Sequence, residues 1–393
     1  MITAVCSAIP VHLPRLPRLL APAGSTDSAT AIEKGSPFSP PCQNVSPGVD
    51  NSSSSNNTNN SSSSNSSNNT TTTTNSNNSK DTVIHSRPAG YISGSFGPAV
   101  KHLGSGNSGS VALYQHPWSG AALAIKKYQY PSHMSYTRRV QHLVNEASIT
   151  LPIRHRHIVR TLAYVAEDDG SFYSIMEAHS SDLFAAIQQH PGGKMPPAVA
   201  GRIFAQLVAA VHHLHVDMHV AHRDIKLDNT LVDRGAAADG SADRSVLIDF
   251  GCAVKFTVPG EMSHGVCGSD PYIAPEVYLN GSRGGPGYDA RKADIWSLAI
   301  VYLAMTSSFF PWESAKPTDR SFFLFLRNPL HVVRYWLNFA SATNPDPKYA
   351  AEPGAVDLIV RMLSPDPCDR PLIEDIVATQ WMQHYLRLAK IIQ

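Results

Sequence analysis

From Asn51 to Ser79 the chain contains only Ser, Asn and Thr, a run of 29 residues without one apolar side chain. Burying such a run offers nothing to set against a backbone ordering cost of roughly 1–2 kcal/mol per residue. The tract therefore reads as a solvated spacer. Its Asn-x-Ser/Thr triplets come from composition alone and do not mark glycosylation. A core must then form in the chain beyond Ser79, and the 393 residues leave enough there for one large domain or two ordinary ones.

The stretch before the tract has little helical capacity. Met1–Pro22 carries Arg15 and Arg18 and no acid before Asp27, but Pro10, Pro14 and Pro17 would break an amphipathic targeting helix. Composition changes near Tyr91, so residues 1–90 are expected to form a disordered low-complexity tail and the ordered fold to begin after it. Thirty-two basic against 31 acidic residues argue against nucleic acid as the main partner. The five cysteines are scattered and lack CxxC spacing. They read as neither a disulfide framework nor a zinc site, with a reducing cytosolic setting as the default. Ile295–Phe310 is too short to span a bilayer and reads as a buried core helix.

Leu103-Gly104-Ser105-Gly106-Asn107-Ser108-Gly109-Ser110-Val111 has the form G-x-G-x-x-G-x-V. Glycines at Gly104, Gly106 and Gly109 let backbone N–H groups approach phosphate oxygens without a Cβ in the way. A dinucleotide loop of this form would open a helix, with an acid about twenty residues on. Here strand-like Ser-Val-Ala-Leu-Tyr comes next, and position 126 is Lys126. A hairpin lid over a nucleotide suits these flanks better. On a strand, Ala124 and Lys126 share a face while Lys127 points away. Tyr136–Leu151 has helical apolar spacing at Val140, Leu143, Ala147 and Leu151, and it carries Glu146 as the expected anionic partner of Lys126.

His222-Arg223-Asp224-Ile225-Lys226-Leu227-Asp228-Asn229 is far more specific, fitting H-R-D-x-K-x-x-N at every fixed position. Asp249-Phe250-Gly251 comes after the apolar strand Val246-Leu247-Ile248, and Ala274-Pro275-Glu276 lies further on. In this order the motifs resemble those of the eukaryotic protein kinase superfamily, over about Phe96–Tyr385. The resemblance implies an α+β bilobal protein-kinase fold over residues 96–385. A small, mainly-β N-lobe with one helix (96–177) would precede a larger, mainly-α C-lobe (178–385). Asp224 would orient the substrate hydroxyl and accept its proton, with Lys226 beside the transferred phosphoryl group. Lys126 would grip the ATP phosphates and be held by Glu146. Asn229 and Asp249 would hold Mg2+ through oxygen ligands.

The same resemblance makes Met176 the gatekeeper and gives Glu177 and His179 the backbone groups for the adenine edge. Val111, Ala124 and Leu231 would sandwich the base, and Asp182 would lie near the ribose. By residue pattern alone Asp182 reads equally well as a helix cap for Leu183–Gln189. His222 would pack under Phe250, which competes with reading the five histidines between His212 and His222 as a metal cluster. Ser269 would bridge Asp224 and Lys226, Glu276 would pair with Arg370, and Asp294 would clamp the catalytic-loop backbone. Thr150 replaces a larger apolar residue behind the helix, which implies a looser packing column there. Thr257 and Ser263 are the activation-loop phosphorylation candidates for an upstream activating kinase, set against a loop already ordered without phosphate.

Lys226 and Gly268-Ser269-Asp270-Pro271-Tyr272 resemble the Ser/Thr class. Val266–Glu276, Ala304-Met305-Thr306 and Phe310-Pro311-Trp312 are similar to the fungal halotolerance and nitrogen-permease-reactivator kinases. That likeness implies a cytoplasmic enzyme, peripheral to the plasma membrane, that regulates nutrient or cation transporters. It would act on protein Ser/Thr hydroxyls with basic residues upstream, met by Asp182 and Asp228. The competing readings are a pseudokinase scaffold and a checkpoint- or calmodulin-dependent-like kinase. In the tail, Ser36-Pro37, Ser39-Pro40 and Ser46-Pro47 are expected targets of proline-directed kinases.

Overall fold

The structure is a computed structural model that describes residues 84–106, 108–235, 243–282, 284–307, 309–342 and 346–392. The polar tract and the Ser-Pro steps lie outside these residues. Ordered backbone starts earlier than the composition change at Tyr91. A first strand, β1 (Ile84–Arg87), runs parallel to β5 (Thr161–Glu167) at the edge of the small-lobe sheet. Helix α1 (Tyr91–Phe96) comes after it, so the small lobe has a helix beyond the one expected. The buried Glu167 carboxylate anchors that helix by accepting from the backbone N–H groups of Gly90 and Ile92.

The rest of the sheet is antiparallel. It comprises β2 (Lys101–Gly106), β3 (Gly109–Gln115), β4 (Ala122–Tyr128) and β6 (Phe172–Glu177), in the order β1-β5-β6-β4-β3-β2. Two-residue alternation along β4 divides its side chains between two cores. Leu123 and Ile125 pack with Ile92, Val165 and Ile175 under α1. Ala124, Lys126 and Tyr128 have the opposite parity, toward α2 (Tyr136–Thr150) and the cleft. Helix α2 is capped by the Ser135 hydroxyl, which accepts from the Arg138 N–H. Its Leu143 and Ala147 pack on Tyr164 and Phe172, on the face that the apolar spacing indicated.

Ser181–Asp182 (β7) leads from the small lobe to α3 (Leu183–Gln188) and α4 (Pro197–His212). Val220–Ala221 (β8), Thr230–Asp233 (β9) and Arg244–Leu247 (β10) carry the catalytic stretch, and β7, β9 and β10 form one small sheet. Val254–Lys255 (β11) pairs with β8, and Met262–Ser263 (β12) pairs with β13 (Tyr288–Asp289). Then come α5 (Pro275–Asn280) and α6 (Ala290–Ser307), α6 being buried along nearly its whole length. The last helices are α7 (Arg320–Arg327), α8 (Pro329–Ala342), α9 (Pro353–Met362), α10 (Ile373–Val377) and α11 (Gln380–Leu388). The large-lobe core runs from α4 to α6 and includes Phe204, Leu207, Val211, Ile295, Trp296 and Leu298. No helix among the described residues is long and apolar enough to cross a membrane.

One sequence expectation fails in the large lobe. Cys252 and Cys267, read as unpaired, form a disulfide with Cα atoms 6.3 Å apart. Chain spacing does not reveal this, because the loop between them folds back through the short β11–β8 and β12–β13 pairings.

Candidate active site

The two lobes meet where Lys126 Nζ lies 2.8 Å from Asp249 Oδ1. These residues are 123 apart in sequence, so only the closure of the lobes brings them together. Burial pushes the Asp249 carboxyl up, but the Lys126 ammonium and its hydrogen bond outweigh that and hold it below the usual aspartate value. Arg223 and Asp249 both sit at positive φ, 65° and 60°, a conformation that side-chain-bearing residues adopt mainly where the surrounding contacts enforce it.

Beside this pair, the Asp224 carboxylate is held on both oxygens. Ser269 Oγ donates to Oδ1 at 3.0 Å, while Asn229 Nδ2 donates to Oδ2 at 2.9 Å. Lys226 Nζ lies 2.9 Å from Oδ2 and donates to Ser269 Oγ at 2.7 Å, so Ser269 bridges the two residues as expected. The base of the loop is equally tied. Buried Asp294 accepts from the backbone N–H groups of His222 and Arg223, both at 2.7 Å, and lies 2.9 Å from His215 Nε2. The His222 ring packs edge-on against Phe250 at 4.9 Å. The histidine run is thus distributed over separate partners, with His213 on Asp217 and His215 on Asp294.

Lys126 does not pair with Glu146. The Glu146 carboxylate instead accepts from Tyr128 Oη at 2.7 Å and, more weakly, from Tyr164 Oη at 3.5 Å. Tyr128 lies two residues past Lys126 on β4, on the same face, and its phenol reaches Glu146 first. That i, i+2 relation was visible in the sequence. Thr150 is also drawn in, donating to the Glu146 carbonyl and sharing a 2.9 Å hydrogen bond with Tyr164 Oη. The packing column expected to be loose at Thr150 is instead hydrogen-bonded. Burial raises the Glu146 carboxyl above its ordinary value, opposed by Lys126 and by the Tyr128 hydrogen bond.

A raised carboxyl contributes stability that is full below its ordinary value and lost as pH rises through the folded value. Tyr128→Phe removes the main donor to this charge, so its cost is expected to grow with pH. The expected loss is about 1.5–3 kcal/mol at pH 8 and clearly less at pH 5, measured by denaturant unfolding. A pH-independent cost would mean that Tyr128 acts by packing alone.

The hinge and glycine loop close the cleft. Ala124 on β4 stands opposite Met176 on β6, and Leu231 on β9 stands opposite Asp182 on β7. Val111 on β3 pairs with Lys126 in the same sheet. His179 Nδ1 lies 2.8 Å from Asp233 Oδ2, and Asp233 Oδ1 accepts from the Ser180 N–H at 3.0 Å. Asp233, which sequence reading missed, thereby fixes the His179 ring and the backbone at Ser180. Asp182 caps α3 through Oδ1, which accepts from the Ala185 N–H at 2.6 Å. The glycines differ in role. A Cβ on Gly109 would lie 2.1 Å from the Lys127 carbonyl, whereas Cβ atoms on Gly104 and Gly106 would meet nothing within 4 Å. Gly109 lets β3 lie against β4, and the other two leave open space along the loop.

Among the described residues no three His, Cys, Asp or Glu side chains are gathered as a metal cluster. The Asn229–Asp249 pair suits a hard cation that takes most of its ligands elsewhere. Mg2+ is characteristically held by one or two protein oxygens together with substrate phosphates and water. Asn229 Nδ2 faces Asp224, which leaves the amide carbonyl as the ligand it would present. The donor set therefore fits a Mg2+–nucleotide.

The activation segment is anchored at several points. Arg223 Nε donates to the Cys252 carbonyl at 2.6 Å, and its Nη1 donates to the His264 carbonyl and Tyr288 Oη. Thr257 donates through both N–H and Oγ1 to Glu261. Lys255 Nζ donates to the Ser148 carbonyl of α2, linking the segment to that helix. Further along, Glu276 and Arg370 form a bidentate ion pair, 2.6 and 2.7 Å, both side chains buried.

Comparison with known proteins places this geometry. The protein kinase domain family model matches residues 98–382. The serine/threonine-protein kinase oca2 of Schizosaccharomyces pombe is 37% identical over 58% of this chain and 34% of its own. The probable serine/threonine-protein kinase RTK1 of Saccharomyces cerevisiae is 33% identical over 73% of this chain and 44% of its own. The nitrogen permease reactivator protein of the same yeast is 35% identical over 57% and 27% respectively. The chain thus spans less than half the length of these curated relatives.

Proposed function

Because the chain belongs to the protein kinase family, we propose that it transfers the γ-phosphate of ATP to Ser or Thr hydroxyls of proteins. The observation that carries this reading is the 2.8 Å approach of Lys126 to Asp249 across the cleft, beside the Asp224–Lys226–Ser269–Asn229 cluster. Phosphoryl transfer asks the protein mainly to align groups and neutralise charge. Lys126 holds the α- and β-phosphates, and the backbone at Gly104 and Gly106 lies over them. The backbone groups of Glu177 and His179 receive the adenine edge under Met176, between Val111, Ala124 and Leu231. Asp224 orients the acceptor hydroxyl and takes its proton, with Lys226 neutralising the phosphoryl oxygens next to it. Bound through Asn229 and Asp249, Mg2+ supplies charge neutralisation along the phosphates.

With Asp182 engaged as a helix cap, exposed Asp228 is the freer acid for a basic residue upstream of the target. The proposed role extends to regulation of nutrient or cation transporters from the cytoplasmic face of the plasma membrane, which the name of one of these relatives supports in its nutrient-transport part. One of them is named for reactivating a nitrogen permease.

The test is ATP- and Mg2+-dependent phosphate incorporation into a Ser/Thr peptide library by wild type and Lys126→Met. Methionine keeps most of the side chain's volume and loses its charge, so a drop of at least about 10²-fold is expected with the fold retained. Equal incorporation by both proteins would reject the reading. Acidic or Pro-directed peptide selection would reject only the basic preference.

A further inference from the structure

We infer that Cys252 and Cys267 form a redox modification site, whose disulfide orders the activation segment. The inference deepens the kinase reading and rests on it for its effect on activity. The bridge joins two points that already touch the catalytic loop. Cys252 comes directly after Gly251, and its carbonyl accepts from Arg223 Nε. Cys267 lies two residues before Ser269, whose hydroxyl holds Asp224 and Lys226. Between them, Gly268 has φ 111°, and a Cβ there would fall 2.9 Å from the Arg223 carbonyl oxygen, so this end of the loop lies close against Arg223.

Residues 253–266 between the sulfurs are held by two short pairings, β11–β8 and β12–β13, by the Thr257–Glu261 contacts, and by single contacts of Lys255, Phe256, His264 and Gly265 to neighbouring segments. The guanidinium of Arg223 ties both ends of this loop together, donating to the Cys252 and His264 carbonyls. A covalent closure of the same loop restricts its open conformations without any added charge. Both cysteines are partly exposed and stand beside exposed Gly251 and Val266, so a small reagent can reach them.

The oxidant class is a low-molecular-weight disulfide such as glutathione disulfide. One cysteine thiolate attacks it, forming a mixed disulfide and releasing one glutathione thiolate. The second cysteine thiolate attacks the protein sulfur of that mixed disulfide and expels the second glutathione. The two thiol protons pass to the two glutathione thiolates, and two electrons leave the protein. A dithiol reductant returns the bridge to two thiols by the same exchange chemistry and is itself oxidised to a disulfide.

The experiment equilibrates the full-length chain in glutathione buffers of graded poise, traps free thiols by alkylation and digests with trypsin. Peptides 245–255 and 256–283 should appear linked at oxidising poise and separate after reduction. On reduction, amide hydrogen exchange within 253–266 should speed up at least about threefold, and phosphate transfer should fall. Cys252→Ala and Cys267→Ser should show the reduced behaviour at every poise. Absence of the linked peptides, exchange unchanged by reduction, activity lower in the oxidised form, or variants that still respond would each overturn the inference. The peptide and exchange readouts need no catalysis. An enzyme inert at every poise would count against the kinase reading, while these two measurements still decide the redox site.

Discussion

Asp224→Asn is expected to lower phosphate transfer by about 10²–10⁴-fold while leaving the melting temperature within a few degrees of wild type. The substitution keeps the size of the side chain and its place between Ser269 and Asn229. It removes the negative charge proposed to receive the hydroxyl proton, so the loss should fall on kcat more than on the KM for ATP. Lys226 and Ser269, which now share the Asp224 charge, would be left facing a neutral amide. Radiolabel incorporation at saturating ATP measures the first effect and a thermal melt the second. An asparagine variant with unchanged kcat would remove Asp224 from the chemistry, and with it the assignment of the whole loop.

The largest stability effect should come from a residue far from the nucleotide. Arg370 is 2% exposed and lies over the Trp296 ring, its guanidinium meeting both Glu276 oxygens and the carbonyls of Ser364, Lys292 and Pro365. Lys292 in turn donates to the Arg370 carbonyl. Arg370→Met leaves the Glu276 carboxylate buried without its counter-charge, at an expected cost of about 3–5 kcal/mol. For a chain of this size that corresponds to a fall in melting temperature of roughly 10 °C. Adding Glu276→Gln should recover part of the loss, because the stranded charge disappears with it. If the double variant is no better than the single one, packing on Trp296 and not the ion pair carries the stability. Since Glu276 opens α5 at the end of the activation segment, activity should decline with the anchor as well.

Much of this site is legible without coordinates. The eight residues from His222 to Asn229 lie on one loop, so their spacing alone requires them to act together. Asp294 and Ser269, assigned to that loop by resemblance, are found bonded to it. The expected Lys126–Glu146 pair is absent for a local reason. Strand parity puts Tyr128 on the same face as Lys126, and a phenol with a hydrogen to donate competes directly for a buried carboxylate. Judged by volume, Thr150 is a gap in packing, yet its hydroxyl has a partner in Tyr164. The fold begins earlier than composition indicates because β1 is four residues long and three of them are polar. It gains its stability from pairing with β5, which its own composition does not encode.

The amino-acid sequence by itself determined which side chains are the candidates for the chemistry, because residues clustered on one short loop keep their spacing in any fold that contains them. It also determined where a core can form, since a run of Ser, Asn and Thr has no apolar surface to bury. Tertiary structure decided the partners: Asp249 for Lys126, Tyr128 for Glu146, Asp233 for His179 and Cys267 for Cys252. Each of these contacts joins segments brought together by lobe closure, strand pairing or loop folding. Which of several competent groups arrives first is a matter of three-dimensional distance, and chain spacing does not contain it.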